Sequence, residues 1–191
     1  MAAGLGTRMK SKRAKVLHHL GGRPLISYPL TALRSAGVEP IVVVVGHQAD
    51  AVRAACAPYH VRFAVQTEQR GTGDAARAAR AALGDFVGDL VLVYGDLPFL
   101  RPETFRRLIA AQQQAQAAVS LLTATVADPA SFGRIVRDEA GQVREIVEER
   151  DATQAQRMIN EINVGVYCAD ASFLFGALEQ LRPANAQGEL Y

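Results

Sequence analysis

The sequence predicts an α/β domain: a mostly parallel sheet with helices on both faces, and a β-hairpin as a small subdomain. Three observations lead there. The aliphatic runs IVVVVG (41–46) and DLVLVYGD (89–96) are continuous rather than alternating, as in strands buried on both faces. Segments with helical spacing or composition alternate with them through short connections. Beyond residue 130 the pattern changes to GRIVRD and VREIVEE around the turn EAGQ, which reads as a hairpin.

Taken in order, PLISYPLTALRSAG (24–37) sets Leu25, Ile26, Leu30 and Leu33 near helical spacing, with Pro29 near the first turn and Gly37 at the end. The 41–46 strand follows, then an Ala-rich helix over 48–57, a short strand over 61–65 and a second helix over 74–83, rich in Ala and Arg. Residues 89–96 form a buried strand that stops at a Gly-Asp turn, 103–117 a helix, and 118–126 a strand. The hairpin pairs 133–138 with 143–149; 152–159 is a short helix, 162–169 a strand and 171–181 an amphipathic helix. No internal repeat or linker interrupts the 191 residues, so one domain is the economical reading.

Composition excludes more than it identifies. The net charge is +2 with positive residues spread out, which implies neither a nucleic-acid nor a membrane partner. The run 41–45 is far too short to span a bilayer, and no signal-peptide pattern is present, so the cytoplasm is expected. Cys56 and Cys168 lie far apart with no metal or CxxC spacing and are expected to be buried, reduced thiols. His18, His19 and His47 have no metal spacing either.

In an open α/β sheet, ligands sit beyond the carboxyl ends of the strands, which directs attention to loops 4–15, 66–74 and 94–98. The first supplies Gly4, Gly6, Thr7, Arg8 and Lys15: glycines that let amides approach an anion, and two cations to neutralise it. Alone, it fits an unstructured basic terminus better, and it is no Walker A loop. The second, QTEQRGTGDA, sets Gln66, with a donor and an acceptor side by side, before Gly71, Thr72 and Gly73 at a helix start. Alone, Thr72 would serve as a local helix cap. The third, YGDLP, places Asp96 at a strand's end, where a carboxylate holds Mg²⁺ beside substrate phosphates or simply forms a turn. Together the loops make a coherent site for a nucleotide and its metal.

The words AAGLGTRM…K, QTEQRGTGDA, YGDLP, FGRIVRD, IVEERDAT, EINVGVY and NAQGELY, in this order and over essentially the whole chain, resemble one family. It is the N-terminal uridyltransferase domain of bacterial bifunctional N-acetylglucosamine-1-phosphate uridyltransferase/glucosamine-1-phosphate acetyltransferases. The resemblance implies a GT-A-like, Rossmann-like nucleotidyltransferase fold and a cytoplasmic enzyme of cell-wall precursor synthesis. The implied reaction joins UTP to N-acetylglucosamine 1-phosphate, giving UDP-N-acetylglucosamine and pyrophosphate with Mg²⁺ as cofactor. By motif, Ala2, Ala3, Gly4, Tyr94 and Gly95 contact the nucleotide, Arg8 and Lys15 hold phosphates as the catalytic cations, and Gln66, Gly71 and Thr72 read the uracil. Asp96 binds Mg²⁺, and Gly133, Glu148 and Asn163 line the sugar site. A nucleotidyltransferase for another sugar 1-phosphate, and a non-catalytic nucleotide-binding fragment, remain as alternatives.

Three departures from the family pattern stand out. Ala14 replaces the usual Pro before the phosphate-binding lysine, which predicts a less firmly held Lys15. Arg150 replaces a usual Lys. The family's first strand and the remainder of its uridyltransferase domain, including a second Mg²⁺ ligand, have no counterpart. Neither has the left-handed β-helix acetyltransferase domain that carries trimerisation. Residues 1–191 are therefore expected to be an incomplete domain, monomeric alone, from a homotrimeric parent.

Overall fold

The computed structural model of the chain describes residues 1–182 apart from Leu5, Thr7, Arg8 and Gln69. The hairpin β1 (His19–Leu20) and β2 (Arg23–Pro24) comes first, and α1 (Ser27–Ser35) follows. Sequence patterning did not suggest this hairpin, yet its signal is the Gly21-Gly22 pair, both at positive φ (55° and 81°), as a tight two-residue turn requires. Helix α1 buries Leu30 and Leu33, the expected apolar face, and ends before Gly37 at φ 81°.

Strand β3 (Val42–Val45) is four valines, whose branched side chains suit a pleated surface with cover on both sides. Helix α2 (Ala49–Cys56) returns the chain to β4 (Arg62–Val65), which pairs parallel with β3 from Val42↔Arg62 to Val45↔Val65. Val43 and Val45 pack with Leu30, Val52 and Cys56, while Val44 packs on the opposite face with Ala3, Ala64 and Ala75. That alternation is the physical content of a strand buried on both sides. The expected helix over 74–83 is two pieces, α3 (Thr72–Ala78) and α4 (Arg80–Leu83), divided at Ala79.

Strand β5 (Asp89–Leu92) and helix α5 (Pro102–Ala115) precede β6 (Val119–Thr125). The expected hairpin is β7 (Arg134–Arg137) and β8 (Val143–Val147), turned at Gly141 and tied by the Asp138 carboxylate, which accepts from the amides of Ala140 and Gln142. After α6 (Gln154–Arg157), the ten-residue β9 (Glu161–Asp170) runs through the middle of the larger sheet, and α7 (Ala171–Gln180) follows directly. Helices α1 and α5 cover one face, with Leu33, Phe105 and Leu108 packed on Val93, Val166 and Cys168.

The expectation of a mostly parallel sheet holds for one half of the architecture and needs correction in the other. Ala2 bridges Val45 in parallel, Met1 donates to the Val93 carbonyl, and Met1 accepts from the Gly95 amide, so residues 1–3 link β3 to β5 in a parallel pattern. Beyond β5 every pairing is antiparallel, because β9 runs against β5, β6 and β7, and β7 against β8. Cys56 and Cys168 are buried in different core clusters, and burial pushes each thiol up to about 11, so both stay protonated and unreactive. Among the described residues no helix is long and apolar enough to cross a membrane.

The Met1 ammonium is buried at the sheet, and burial lowers its pKa from 8.0 to about 6. The unfolded chain therefore binds this proton more tightly than the folded one between those values, and stability rises as pH climbs from about 6 to about 8. Urea titrations across this range should show the rise, bounded by about 1.4 kcal/mol per pH unit for a single group. An N-terminally acetylated chain, which has no such proton, should lose that contribution; an identical pH dependence in both forms would contradict it.

Candidate functional site

Residues from the three loops meet around one cavity of about 410 Å³. Ala2, Ala3, Gly4, Gly6 and Lys15 line it from the first loop, Gln66, Gly71 and Thr72 from the second, and Tyr94 and Asp96 from the third. Both alanines are buried, and hydrogen bonds from Ala2 to Val44 and from His47 to the Ala3 carbonyl anchor them against β3. Gly6 has φ 62°, and a Cβ there would stand 2.8 Å from Lys15 Cβ, so only glycine lets this loop close over the lysine. Gly95 does not border this space. It is buried behind it, where a Cβ would come within 3.1 Å of Val16 and 3.3 Å of the Met1 carbonyl. Arg8 lies outside the described residues.

Lys15 and Asp96 form an ion pair across the cavity floor. The lysine side chain is half exposed and the Asp96 carboxylate mostly covered. A mobile cation thus rests on the carboxylate expected to meet a metal. Among the described residues, Asp96 is the one acid lining this cavity, and no cluster of three or more His, Cys, Asp or Glu is present. A single carboxylate at the cavity wall is compatible with the way Mg²⁺ is held, by one or two protein oxygens with waters and substrate phosphates.

The loop that presents Lys15 is tied down by a residue that sequence reading missed. The Ala14 amide donates to Gln48 Oε1 at 2.9 Å, and Gln48 Nε2 donates to the Lys12 carbonyl at 2.6 Å. Proline could not make the first of these bonds. The Ala14 amide thus takes part in a hydrogen-bonded latch that a proline at this position could not form. Gln48 reaches it from a left-handed conformation (φ 54°) at the start of α2, which the sequence does not advertise. Gln48→Ala should leave the Ala14 amide without its partner, cost about 1 kcal/mol, and loosen residues 12–15. Urea unfolding and amide exchange at Ala14 check this, and unchanged exchange would refute the latch.

Gln66 is buried, and its orientation is chemically determined. Nε2 donates to the Gly71 carbonyl at 3.1 Å and to the Asp74 carboxylate at 2.9 Å, and both partners can only accept. Oε1 is therefore the end left for a ligand. Gly71, at φ 111°, is the N-cap of α3, and Thr72 makes no side-chain cap bond, so the capping role is set aside. The Thr72 hydroxyl instead hydrogen-bonds Tyr94, whose own hydroxyl is pushed well above its ordinary value, chiefly by burial.

A second, larger cavity of about 930 Å³ adjoins the first, sharing Met1, Thr72 and Tyr94. Glu148, Asn163 and Tyr167 line it. Gly133 packs against Glu148, where a Cβ would come within 3.1 Å of Oε1, and its carbonyl accepts from the Asn163 amide at 2.8 Å. The three residues expected to line a sugar site are thus together. Two neighbours were not foreseen. Asn163 Nδ2 donates to the Tyr167 hydroxyl at 2.7 Å, and Asn163 Oδ1 accepts from the Gly165 amide at 3.0 Å. Glu149 belongs to the fold rather than the cavity, paired with buried Arg134 and with Arg157.

Comparison with known proteins agrees with this geometry. The structure is similar to a crystal structure of apo UDP-glucose pyrophosphorylase (TM-score 0.75, 18% identity, 99% of this chain and 81% of that one). It is also similar to UDP-glucose pyrophosphorylase complexed with UDP-glucose (TM-score 0.74, 20% identity, 98% and 80%). At that identity the likeness establishes a shared fold. In sequence, the chain is 52% identical to the bifunctional protein GlmU of Anaeromyxobacter sp. (strain Fw109-5) and 48% identical to that of Geobacter metallireducens. Each match covers all of this chain and 40% of the relative, so the chain spans well under half the length of those proteins. The MobA-like NTP transferase domain matches residues 1–163, most of the chain and all the residues that line the smaller cavity. On that match, this chain belongs to the MobA-like NTP transferase family.

Proposed function

We propose that this domain transfers UMP from UTP to N-acetylglucosamine 1-phosphate, releasing pyrophosphate and forming UDP-N-acetylglucosamine in the cytoplasm. The observation that carries the proposal is the joining of two cavities at Met1, Thr72 and Tyr94, with Lys15, Gln66 and Asp96 lining one and Glu148 and Asn163 the other. Family membership and the likeness to GlmU proteins support nucleotidyl transfer in sugar-nucleotide synthesis.

A phosphate oxygen of the sugar phosphate attacks the α-phosphorus of UTP in line, a P–O bond forms, and the bond to the β-phosphate breaks as pyrophosphate leaves. The nucleophile is already an anion, so no general base is required. Alignment and charge neutralisation then carry the rate. Lys15 would leave Asp96 for the triphosphate, with Arg8 as the second cation. Asp96 would hold Mg²⁺, which neutralises phosphate charge when bound. Gln66 Oε1 would accept from uracil N3–H, an interaction that cytosine, with an acceptor at N3, cannot offer. Asp74 sets that preference by engaging the Gln66 amide nitrogen. Asp74→Asn, able to donate as well as accept, should lower the UTP-over-CTP preference severalfold; an unchanged preference would count against it. Asn163 and Glu148 would hydrogen-bond the acceptor sugar.

The test is pyrophosphate release with UTP, N-acetylglucosamine 1-phosphate and Mg²⁺, with other nucleotides and sugar phosphates as controls. Release that depends on all three components supports the proposal. UTP binding without release would replace it with a nucleotide-binding role, and a preference for another sugar phosphate would reassign the acceptor.

A further inference from the structure

Strand β9 is irregular where it lines the larger cavity. Two steps along β6, from Leu121 to Thr123, stand opposite four along β9, from Tyr167 to Asn163. The surplus backbone bulges through Gly165, whose φ of 79° suits glycine. The bulge brings the Asn163 and Tyr167 side chains together on the cavity wall, although regular pleating would set them far apart.

Hydrogen-bond chemistry then fixes the polar atoms of the pair. The Gly165 amide can only donate, so the Asn163 atom that meets it at 3.0 Å is Oδ1. Nδ2 is therefore the atom that reaches Tyr167, and it donates to the hydroxyl oxygen at 2.7 Å. A phenol oxygen that accepts in this way still has its own proton to donate. Burial pushes the Tyr167 hydroxyl above its ordinary value, and the Glu148 charge adds to that, so the proton stays in place at neutral pH. The series from Gly165 through Asn163 to Tyr167 runs in one direction, each bond polarising the next, and ends on a hydroxyl that donates. Glu148, lining the same cavity, offers the opposite: a carboxylate that accepts.

We propose that Tyr167 is a specificity-determining residue of the acceptor site, its hydroxyl donating to the carbonyl oxygen of a 2-acetamido sugar. This rests on the assignment of the larger cavity to the sugar. An acetamido group carries one acceptor, its carbonyl oxygen, and one donor, its N–H, and so matches a wall that holds one donor and one acceptor. A sugar with a 2-hydroxyl has no carbonyl to reach Tyr167 and leaves this donor unpaired once the sugar covers it, which is how such sites discriminate. Asn163 aims the hydroxyl, and its second N–H is left for the sugar itself.

Tyr167→Phe keeps the ring and removes the hydroxyl. Calorimetric titration of the whole chain with UDP-N-acetylglucosamine, UDP-glucose and UDP reads the sugar contribution without turnover. The variant should bind UDP-N-acetylglucosamine about tenfold more weakly, while its affinities for UDP-glucose and UDP change by less than about twofold. Equal weakening of both sugar nucleotides would show a damaged wall rather than a lost contact and overturn the proposal, as would no weakening of either. Wild-type protein that binds UDP-N-acetylglucosamine no more tightly than UDP, or not at all, would remove the sugar from this cavity and the proposal with it. A second measurement needs no variant. UDP-N-acetylglucosamine should move the Tyr167 Cζ resonance, which reports hydrogen bonding at the hydroxyl, and UDP-glucose should leave it near its free position; equal shifts with both would overturn the proposal.

Discussion

Asp96→Asn lowers pyrophosphate release by about a hundredfold or more while leaving the fold nearly as stable as before. The two halves of this expectation have separate causes. Among the described residues Asp96 is the one carboxylate lining the smaller cavity, so an isosteric amide keeps the shape and removes the charge that the proposed divalent ion needs. Electrostatic groups at a reacting phosphate, where charge develops, commonly contribute this much or more. Stability responds little because the partner lysine is half exposed, and an ion pair so placed contributes only a fraction of a kcal/mol. A further readout is independent of turnover. The Asp96 charge holds the pKa of the Met1 ammonium up against burial, so Asp96→Asn should move it further down. The pH range over which stability rises then extends lower than about 6. A variant with normal turnover would remove Asp96 from the reaction, and an unmoved pH range would show that the two groups do not sense one another.

The loops were legible because their chemistry is local. Glycines at 6 and 71 mark backbone that other residues adopt with strain, and Asp96 follows directly on an aliphatic strand, so chain order alone assembles most of one cavity. Helix α1 and strand β3 were legible for a similar reason, their apolar spacing being complete within a few residues. What could not be read depends on partners distant in sequence. Gln48 holds the Ala14 amide from 34 positions away, and nothing in the pattern around residue 48 announces a left-handed helix start. The direction of β9 was invisible too: continuous apolar runs show burial but not whether neighbours run parallel or antiparallel. The Asn163–Tyr167 bond spans only 4 positions, which in a regular strand would separate the two by about 13 Å on one face, so it depends on the irregularity of β9 opposite Leu121–Thr123. Gly165, at φ 79°, lies within that irregularity.

The largest structural effect is expected at that same glycine. A Cβ at Gly165 would overlap the ring of Tyr94, and φ 79° is in itself unfavourable for alanine. Turning the ring aside into either cavity would take its hydroxyl away from Thr72. Gly165→Ala should therefore destabilise the protein by about 2–4 kcal/mol, roughly 1 from the backbone and the rest from overpacking. Urea unfolding supplies the number, and a second substitution separates its parts. Tyr94→Ala removes the obstacle, so in that background Gly165→Ala should cost only the backbone share, a coupling of about 1–3 kcal/mol in the double-mutant cycle. Strict additivity would mean that the ring and the glycine do not touch in solution. A glycine at this position thus lets the Tyr94 ring pack closely against β9 between the two cavities, which the proposed reaction assigns to the nucleotide and the sugar.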